Sequence, residues 1–194
     1  KVLEERQPGE NREITLLFDG VRLTGWLTDI QPDGLLRWRP SLLRVPHGLQ
    51  LWLEHLVYCT SGGSGHSRLL GRRDGEWHFP ALTRVEAEAL LSELVKGYRQ
   101  GLREPLILLP DSGGAWLKTC YDPQTDSILW DEDTQRKARA KLVQTWEGNQ
   151  TVGGEGQDIW LQRLWRTLDE DYYDAIVREA QRWLLPLFSH QRSV

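Results

Sequence analysis

The sequence contains no methionine, not even at its first position, and only two cysteines among 194 residues. The missing methionine leads to the expectation of a piece cut from a longer polypeptide, whose partners then include the rest of its own chain. Cys59 and Cys120 lie far apart with no metal-ligand spacing around them, which points to a cytoplasmic protein with two reduced thiols. No stretch approaches the length of a membrane-spanning helix and no signal-peptide pattern opens the sequence, so no membrane partner is expected. An excess of positive charge is missing too. The formal net charge of −4 removes the global basic field that drives nonspecific nucleic-acid binding, and any DNA contact must come from a local patch. There is no internal repeat and no low-complexity tract.

What is present reads as globular, with 39% hydrophobic and 27% charged residues. The length allows one sizeable core, or one core plus a small satellite. Ten tryptophans are enough for several to anchor core or interface packing.

Residues 1–12 are polar, carry Pro8 and Gly9, and read as a loose lead-in. A strand is expected over 13–18, and Asp19-Gly20 is a hairpin signal. Along the next strand, Val21, Leu23, Gly25 and Leu27 share one face while Arg22, Thr24, Trp26 and Thr28 share the other. Pro32-Asp33-Gly34 is a turn, and the strand over 35–39 sets Leu36 and Trp38 opposite Arg37 and Arg39. Three antiparallel strands joined by tight turns form a meander.

Pro40 stops the third strand, and Pro46 suits the first turn of a helix. Leu49, Trp52, Leu53, Leu56 and Val57 recur at helical spacing as far as Cys59, and the glycine-rich stretch 61–65 follows as a loop. Residues 67–73 and 76–80, joined by Asp74-Gly75, read as a second hairpin. An amphipathic helix over 83–100 has Thr83 as N-cap and Val85, Leu90, Leu91 and Leu94 as its stripe. A buried strand is expected over 106–109, a turn at Ser112-Gly113-Gly114, and a strand or irregular segment over 115–121. A helix over 133–147 has Ala138, Leu142, Val143 and Trp146 inward. The connector Gly153-Gly154-Glu155-Gly156 then leads to helices over about 158–168 and 170–184. The domain organisation expected is a lead-in over 1–12 and one domain over 13–194, helical over about 133–184.

A metal-dependent nuclease needs hard oxygen ligands converging on Mg²⁺, usually carboxylates from adjacent strands, with a nearby lysine. The two N-terminal strands and the helix after them resemble the PD-(D/E)xK nuclease fold in its RecB-like form. Its local patterns are Gly-aromatic-aliphatic-Asp, Asp-aromatic-Lys, and a helix with Gln-Leu-x-Leu-Tyr. Here Gly25-Trp26-Leu27 is followed by Thr28, Arg37-Trp38-Arg39 stands in the second pattern, and Gln50-Leu51-Trp52-Leu53 is followed by Glu54. Thr28 offers one neutral oxygen, Arg37 repels a cation, and Arg39 stays charged at any useful pH and cannot act as a base. The resemblance implies an α/β core with a central mixed sheet flanked by helices, a helical C-terminal region, and no catalytic or metal-binding residue.

Further stretches narrow the resemblance: residues 52–59 (Trp52-Leu53-Glu54-His55 and on), 74–77, 112–121 (Ser112-Gly113-Gly114-Ala115-Trp116 and on) and 154–160. Taken across the chain, these are similar to the RecC C-terminal domain family, part of the gamma subunit of bacterial exodeoxyribonuclease V. That resemblance implies an inactive nuclease-like fold in a helicase–nuclease that processes double-strand breaks and responds to Chi. It implies partnership with RecB and RecD, with the rest of the RecC chain, and with double- and single-stranded DNA. No cofactor is expected in this domain, ATP and Mg²⁺ belonging to the partner subunits. Such a core normally opens with a helix, which residues 1–12 do not resemble, so the first element is expected to be missing.

Arg37 and Arg39 are candidates for DNA phosphates, or for salt bridges to acidic neighbours; the low global charge favours the salt bridge. The second hairpin, with Arg72, Arg73, Trp77 and His78, is a candidate DNA-contacting or strand-separating element, although an Asp-Gly hairpin is more often a plain surface turn. Pro110-Asp111 and Pro32-Asp33 read as turns rather than nuclease signatures. His47, His55, His66, His78 and His190 have no metal-ligand spacing. The 153–156 segment lacks the flanks of a phosphate loop. Most tryptophans are assigned to the core, with Trp160, Trp165 and Trp183 as candidates for a subunit interface. The rival enzymatic reading is a nuclease with carboxylates migrated to Asp29, Asp33 or Glu54. A third reading is a pure protein-interaction module.

Overall fold

The computed structural model describes residues 8–73 and 75–192. It is a mixed α/β fold in two compact units. One holds the described residues up to Pro105 and those from His190 on; the other is Leu106–Ser189. No helix among the described residues is long and apolar enough to cross a membrane.

The first unit is built on a five-stranded sheet in the order β1 (Glu10–Phe18), β2 (Val21–Gln31), β3 (Gly34–Trp38), β4 (His66–Leu70), β5 (Glu76–Phe79). Glu10 and Arg12, placed in the lead-in from sequence, pair with β2, so β1 starts earlier than expected. The Asp19-Gly20 turn has positive φ at both residues (44° and 82°), the geometry whose twist matches a two-residue hairpin. The meander of β1, β2 and β3 forms as expected, but β4 joins it in parallel to β3, which makes the sheet mixed. Gly34 is obligatory at that seam: its φ is +126°, and a Cβ there would lie 1.9 Å from the His66 carbonyl oxygen.

Helix α1 (Val45–Thr60) is the crossover between the parallel strands β3 and β4 and carries a proline in its first turn. It buries Leu51, Trp52, His55, Leu56 and Cys59, whereas Leu53 is 40% exposed; the inward stripe is rotated from the expected one. Trp52 lies 4.9 Å from Phe79 and 5.1 Å from His190, ring centre to ring centre. Helix α2 (Arg84–Gly101) packs against α1. Its capping box is closed by Thr83 and Glu86, an arrangement worth about 1 kcal/mol. It buries Ala87 and Leu91, while Val85, expected inward, is exposed on the first turn.

The second unit holds α3 (Ser112–Cys120), a small hairpin β6 (Tyr121–Asp122) and β7 (Ser127–Ile128), α4 (Glu132–Glu147), a 3₁₀ turn (Glu155–Gln157), α5 (Leu161–Leu164), α6 (Glu170–Trp183) and α7 (Leu185–His190), the last ending at the unit boundary. Trp116, Leu117, Cys120, Leu142 and Ile176 form its core. Four expectations are corrected here. The strand over 106–109 does not form: the segment has no partner strand among the described residues, and only Leu109 is buried. Residues 112–120, expected as a turn followed by a strand or irregular segment, are helix α3. Their glycines serve close packing, since a Cβ on Gly113 would sit 2.9 Å from that of Ala180 on α6. The helix expected over 158–168 shrinks to the single turn α5. Trp183 is a core residue whose indole N–H donates to Glu179 at 2.7 Å, not an interface residue.

The N-terminus of α3 has no cap of its own; Asp111 makes no capping bond. Glu155 supplies it from 43 residues away: its carboxylate accepts the Ser112 N–H at 2.7 Å and the Asp111 N–H at 3.1 Å. Burial pushes the Glu155 carboxyl up, and these hydrogen bonds oppose the shift. The glycine-rich connector is thus the loop that brings a capping carboxylate to a distant helix.

Candidate functional site

The site lies in the first unit, where β2, β3 and α1 meet. Strands β2 and β3 are registered at two pairs only, Ile30 with Leu35 and Gln31 with Gly34. Beyond them the strands splay. On β2, the register against β1 steps from Arg12–Leu27 to Glu10–Ile30, so one extra residue is inserted there. That bulge falls at Thr28-Asp29. Asp29 takes a left-handed conformation (φ 56°), and its N–H donates to the Asn11 side-chain oxygen at 3.0 Å. The bulge aims the Thr28 and Asp29 carbonyls toward β3.

Arg37 fills the gap between the splayed strands. It shares the face of Leu35, which is 1% exposed and packs inward, so the side chain runs toward α1. Its Nε donates to Glu54 Oε2 at 2.8 Å. Its Nη2 donates to the Thr28 carbonyl at 3.0 Å, and Nη1 reaches the Asp29 carbonyl at 3.5 Å. Both members of the ion pair are about a quarter exposed, enough shielding to strengthen it over a surface pair. The guanidinium is thus a fixed internal cation among four oxygen acceptors, the fourth being the Leu36 carbonyl, 3.4 Å from Nη1.

A cleft of about 130 Å³ opens beside this pair, lined by Arg37, Trp38, Arg39, His47, Gln50 and Glu54 among others. Four positions singled out from sequence (Arg37, Arg39, Gln50 and Glu54) therefore meet around one cavity, and Thr28 joins through its carbonyl. The donor set does not suit a divalent metal. It offers one carboxylate already neutralised by a guanidinium, and a second arginine at the rim. Among the described residues, no group of three or more His, Cys, Asp or Glu is arranged to hold a metal ion. Asp29 Oδ1 accepts from Gln31 Nε2 at 2.9 Å, and Asp33 is exposed in the β2–β3 turn, where its carbonyl accepts the His66 N–H.

The hairpin candidates separate. Arg72 and Arg73 are exposed past the end of β4, and Asp74 of the expected turn lies outside the described residues. Trp77 is 4% exposed and lies against Gly48 of α1, where a Cβ would stand 2.4 Å from its ring. It is a core residue, because the inward face of β5 needs a large ring to meet α1, and it cannot serve as an exposed DNA contact. His78 lies on the other face, edge-on to His66 at 5.4 Å; burial and the neighbouring His66 hold its pKa down. Sequence reasoning passed over Arg44 and weighed His47 only as a metal ligand; at the start of α1 the Arg44 N–H donates to His47 Nδ1. The available signal was that residues 34–53 carry Arg37, Arg39 and Arg44 with no Asp or Glu.

Behind the site, His55 is fully buried, with Nδ1 2.8 Å from Ser67 Oγ and the Cys59 sulfur 3.7 Å from Nε2. Desolvation lowers its pKa to about 4, so the ring is neutral and ties α1 to β4.

Comparison with known proteins matches residues 1–121 to the RecC C-terminal domain. The chain is 59% identical over 193 residues to the RecBCD enzyme subunit RecC of Escherichia coli (strain K12), covering 100% of this chain and 17% of that protein. It is 36% identical over 191 residues to the subunit of the same name from Buchnera aphidicola subsp. Acyrthosiphon pisum (strain APS), covering 98% of this chain and 18% of the relative. The chain thus spans less than a fifth of the length of these relatives.

Proposed function

This chain belongs to the RecC C-terminal domain family, and from that premise we propose that it is a non-catalytic, nuclease-like domain of the PD-(D/E)xK type. It serves as scaffold and DNA guide within a RecBCD-type exodeoxyribonuclease V that unwinds and degrades double-stranded DNA ends for recombinational repair and responds to Chi. Its partners are RecB and RecD subunits, the rest of a RecC chain, and double- and single-stranded DNA, in the bacterial cytoplasm. ATP and Mg²⁺ act in the partner subunits.

The observation that carries the reading is the Arg37–Glu54 pair. In a nuclease of this type the metal is held by an Asp that ends one strand and an Asp/Glu-x-Lys on the next. Here Thr28 brings a carbonyl instead of a carboxylate, and the positive charge is the chain's own guanidinium. A metal entering would have to displace a hydrogen-bonded arginine and strip Glu54 of its counter-charge. The rival reading places migrated carboxylates at Asp29, Asp33 or Glu54, and Asp29 accepts from the Gln31 side chain. Asp33 sits out in the turn and Glu54 is already engaged.

Calorimetric titration of Mg²⁺ and Mn²⁺ into the chain, paired with a cleavage assay on linear duplex and single-stranded DNA, tests the proposal. The expected result is no stoichiometric metal site and no cutting. A stoichiometric site with cleavage abolished by Asp29→Ala or Glu54→Ala would establish the enzyme reading instead.

A further inference from the structure

We propose that the chain ends of the parallel strands β3 and β4 form a phosphate seat for single-stranded nucleic acid, made by Arg39, Arg72 and Arg73 with Trp38 as a stacking platform. The proposal rests on the DNA-guide reading and names the part of the surface that does the guiding.

Four observations converge on this place. The parallel ladder runs on past the last registered pair, Trp38 with Leu70: the Arg39 N–H donates to the Leu70 carbonyl at 2.8 Å and the Arg72 N–H to the Ser41 carbonyl at 3.0 Å. Arg39 and Arg72, 33 positions apart in sequence, therefore sit on adjacent chains spaced by about 4.8 Å, and Arg73 follows directly. Second, all three are exposed, and their guanidinium groups carry no hydrogen bond or ion pair among the described residues. The other strand-borne arginines of this region are engaged, Arg37 by Glu54 and Arg68 by Glu76 at 2.6 Å. Third, the same end of the sheet holds the start of α1; residues 34–53 contain no acidic side chain, and the one carboxylate lining the cleft, Glu54, is paired with Arg37. Fourth, Trp38 is 57% exposed beside Arg39 and lines the cleft that Arg39 also lines.

In a chain of net charge −4, three exposed and unengaged arginines gathered from two adjacent chain ends are the local exception that phosphate binding requires. Planar guanidinium groups match phosphate oxygens two at a time. An open indole face offers what an unpaired base needs and a duplex cannot use, because duplex bases are already stacked. The face thus favours a single strand laid across the chain ends.

The test is fluorescence anisotropy of the 194-residue chain with a labelled single-stranded oligonucleotide and a duplex of the same sequence, across a salt series. Arg39→Gln/Arg72→Gln/Arg73→Gln should weaken single-strand binding on the order of tenfold and flatten the salt slope by about 2, near 0.7 for each phosphate left without its arginine. Trp38→Ala should weaken single-strand binding, also on the order of tenfold, and leave the slope unchanged. Equal charge removal on and near α2 and α4, Arg84→Gln/Arg103→Gln/Lys141→Gln, should leave affinity near that of the parent. All these side chains are exposed, and circular dichroism confirms the fold. If the parent binds but the arginine triple variant binds as well as it does, the seat is misplaced while the guide reading stands. Duplex binding that is tighter than single-strand binding and indifferent to Trp38→Ala overturns the single-strand assignment. A parent chain without any salt-dependent binding overturns both the seat and the guide reading.

Discussion

Removing the Arg37 guanidinium probes the site most directly. In Arg37→Ala, the Glu54 carboxylate loses a 2.8 Å charge-assisted hydrogen bond and the Thr28 carbonyl loses its 3.0 Å donor. An exposed pair is worth a few tenths of a kcal/mol and breaking a buried one costs about 3–5 kcal/mol. With both partners about a quarter exposed, water replaces part of the loss, and the expected cost is about 2 kcal/mol. For a chain of this length that lowers Tm by roughly 4–8 °C. Urea unfolding followed by tryptophan fluorescence reads it, and a double-mutant cycle with Glu54→Ala isolates the pair, with a coupling of about 1 kcal/mol or more. The same variant tests the idea that the guanidinium stands in for a metal. With the arginine gone, Glu54 and the two β2 carbonyls face an opened cleft, and millimolar Mn²⁺ should raise the Tm of Arg37→Ala but not of the parent. A cost under about 0.5 kcal/mol would show the pair to be incidental. An Arg37→Ala protein indifferent to Mn²⁺ would refute the internal-cation reading.

Two further outcomes follow from buried titratable groups. The folded pKa of His55 is lowered to about 4 against an ordinary 6.5, so between those values the unfolded chain binds a proton that the folded chain refuses. Stability should hold above pH 6.5 and fall, by on the order of 3 kcal/mol, as pH drops toward 4. Urea midpoints across that range should slope more steeply for the parent than for His55→Gln, and equal slopes would contradict the assignment. In the second unit, Glu155→Ala leaves the Asp111 and Ser112 N–H groups without their acceptor and should cost about 1–2 kcal/mol, with Glu155→Gln costing less because one oxygen remains. Hydrogen exchange at Ser112 provides the local readout, and unchanged protection there in Glu155→Ala would remove Glu155 as the cap of α3.

Sequence alone determined those elements whose cause is local. Asp19-Gly20 forms its hairpin because both positions accept positive φ, Pro46 opens α1, and Thr83 with Glu86 closes the capping box of α2. The strand parity that separates Arg37 and Arg39 from Leu36 and Trp38 also follows from a two-residue period. Period does not say which face is covered, and that was decided in three dimensions. Arg37 turns inward beside Leu35 to meet a glutamate 17 residues away, while Trp38 is left in solvent. The tertiary structure likewise made a helix of a Ser-Gly-Gly segment, because small residues let α3 approach α6 and a distant carboxylate completes its first turn. It withheld the strand over 106–109, since a strand needs a neighbour and none is present there among the described residues. That Thr28, Arg37 and Arg39 bring no carboxylate was legible in the sequence. The seating of the Arg37 guanidinium against Glu54, and the gathering of Arg39 with Arg72 at one end of the sheet, required the packing of α1 and the parallel register of β3 on β4, which join residues far apart in the chain.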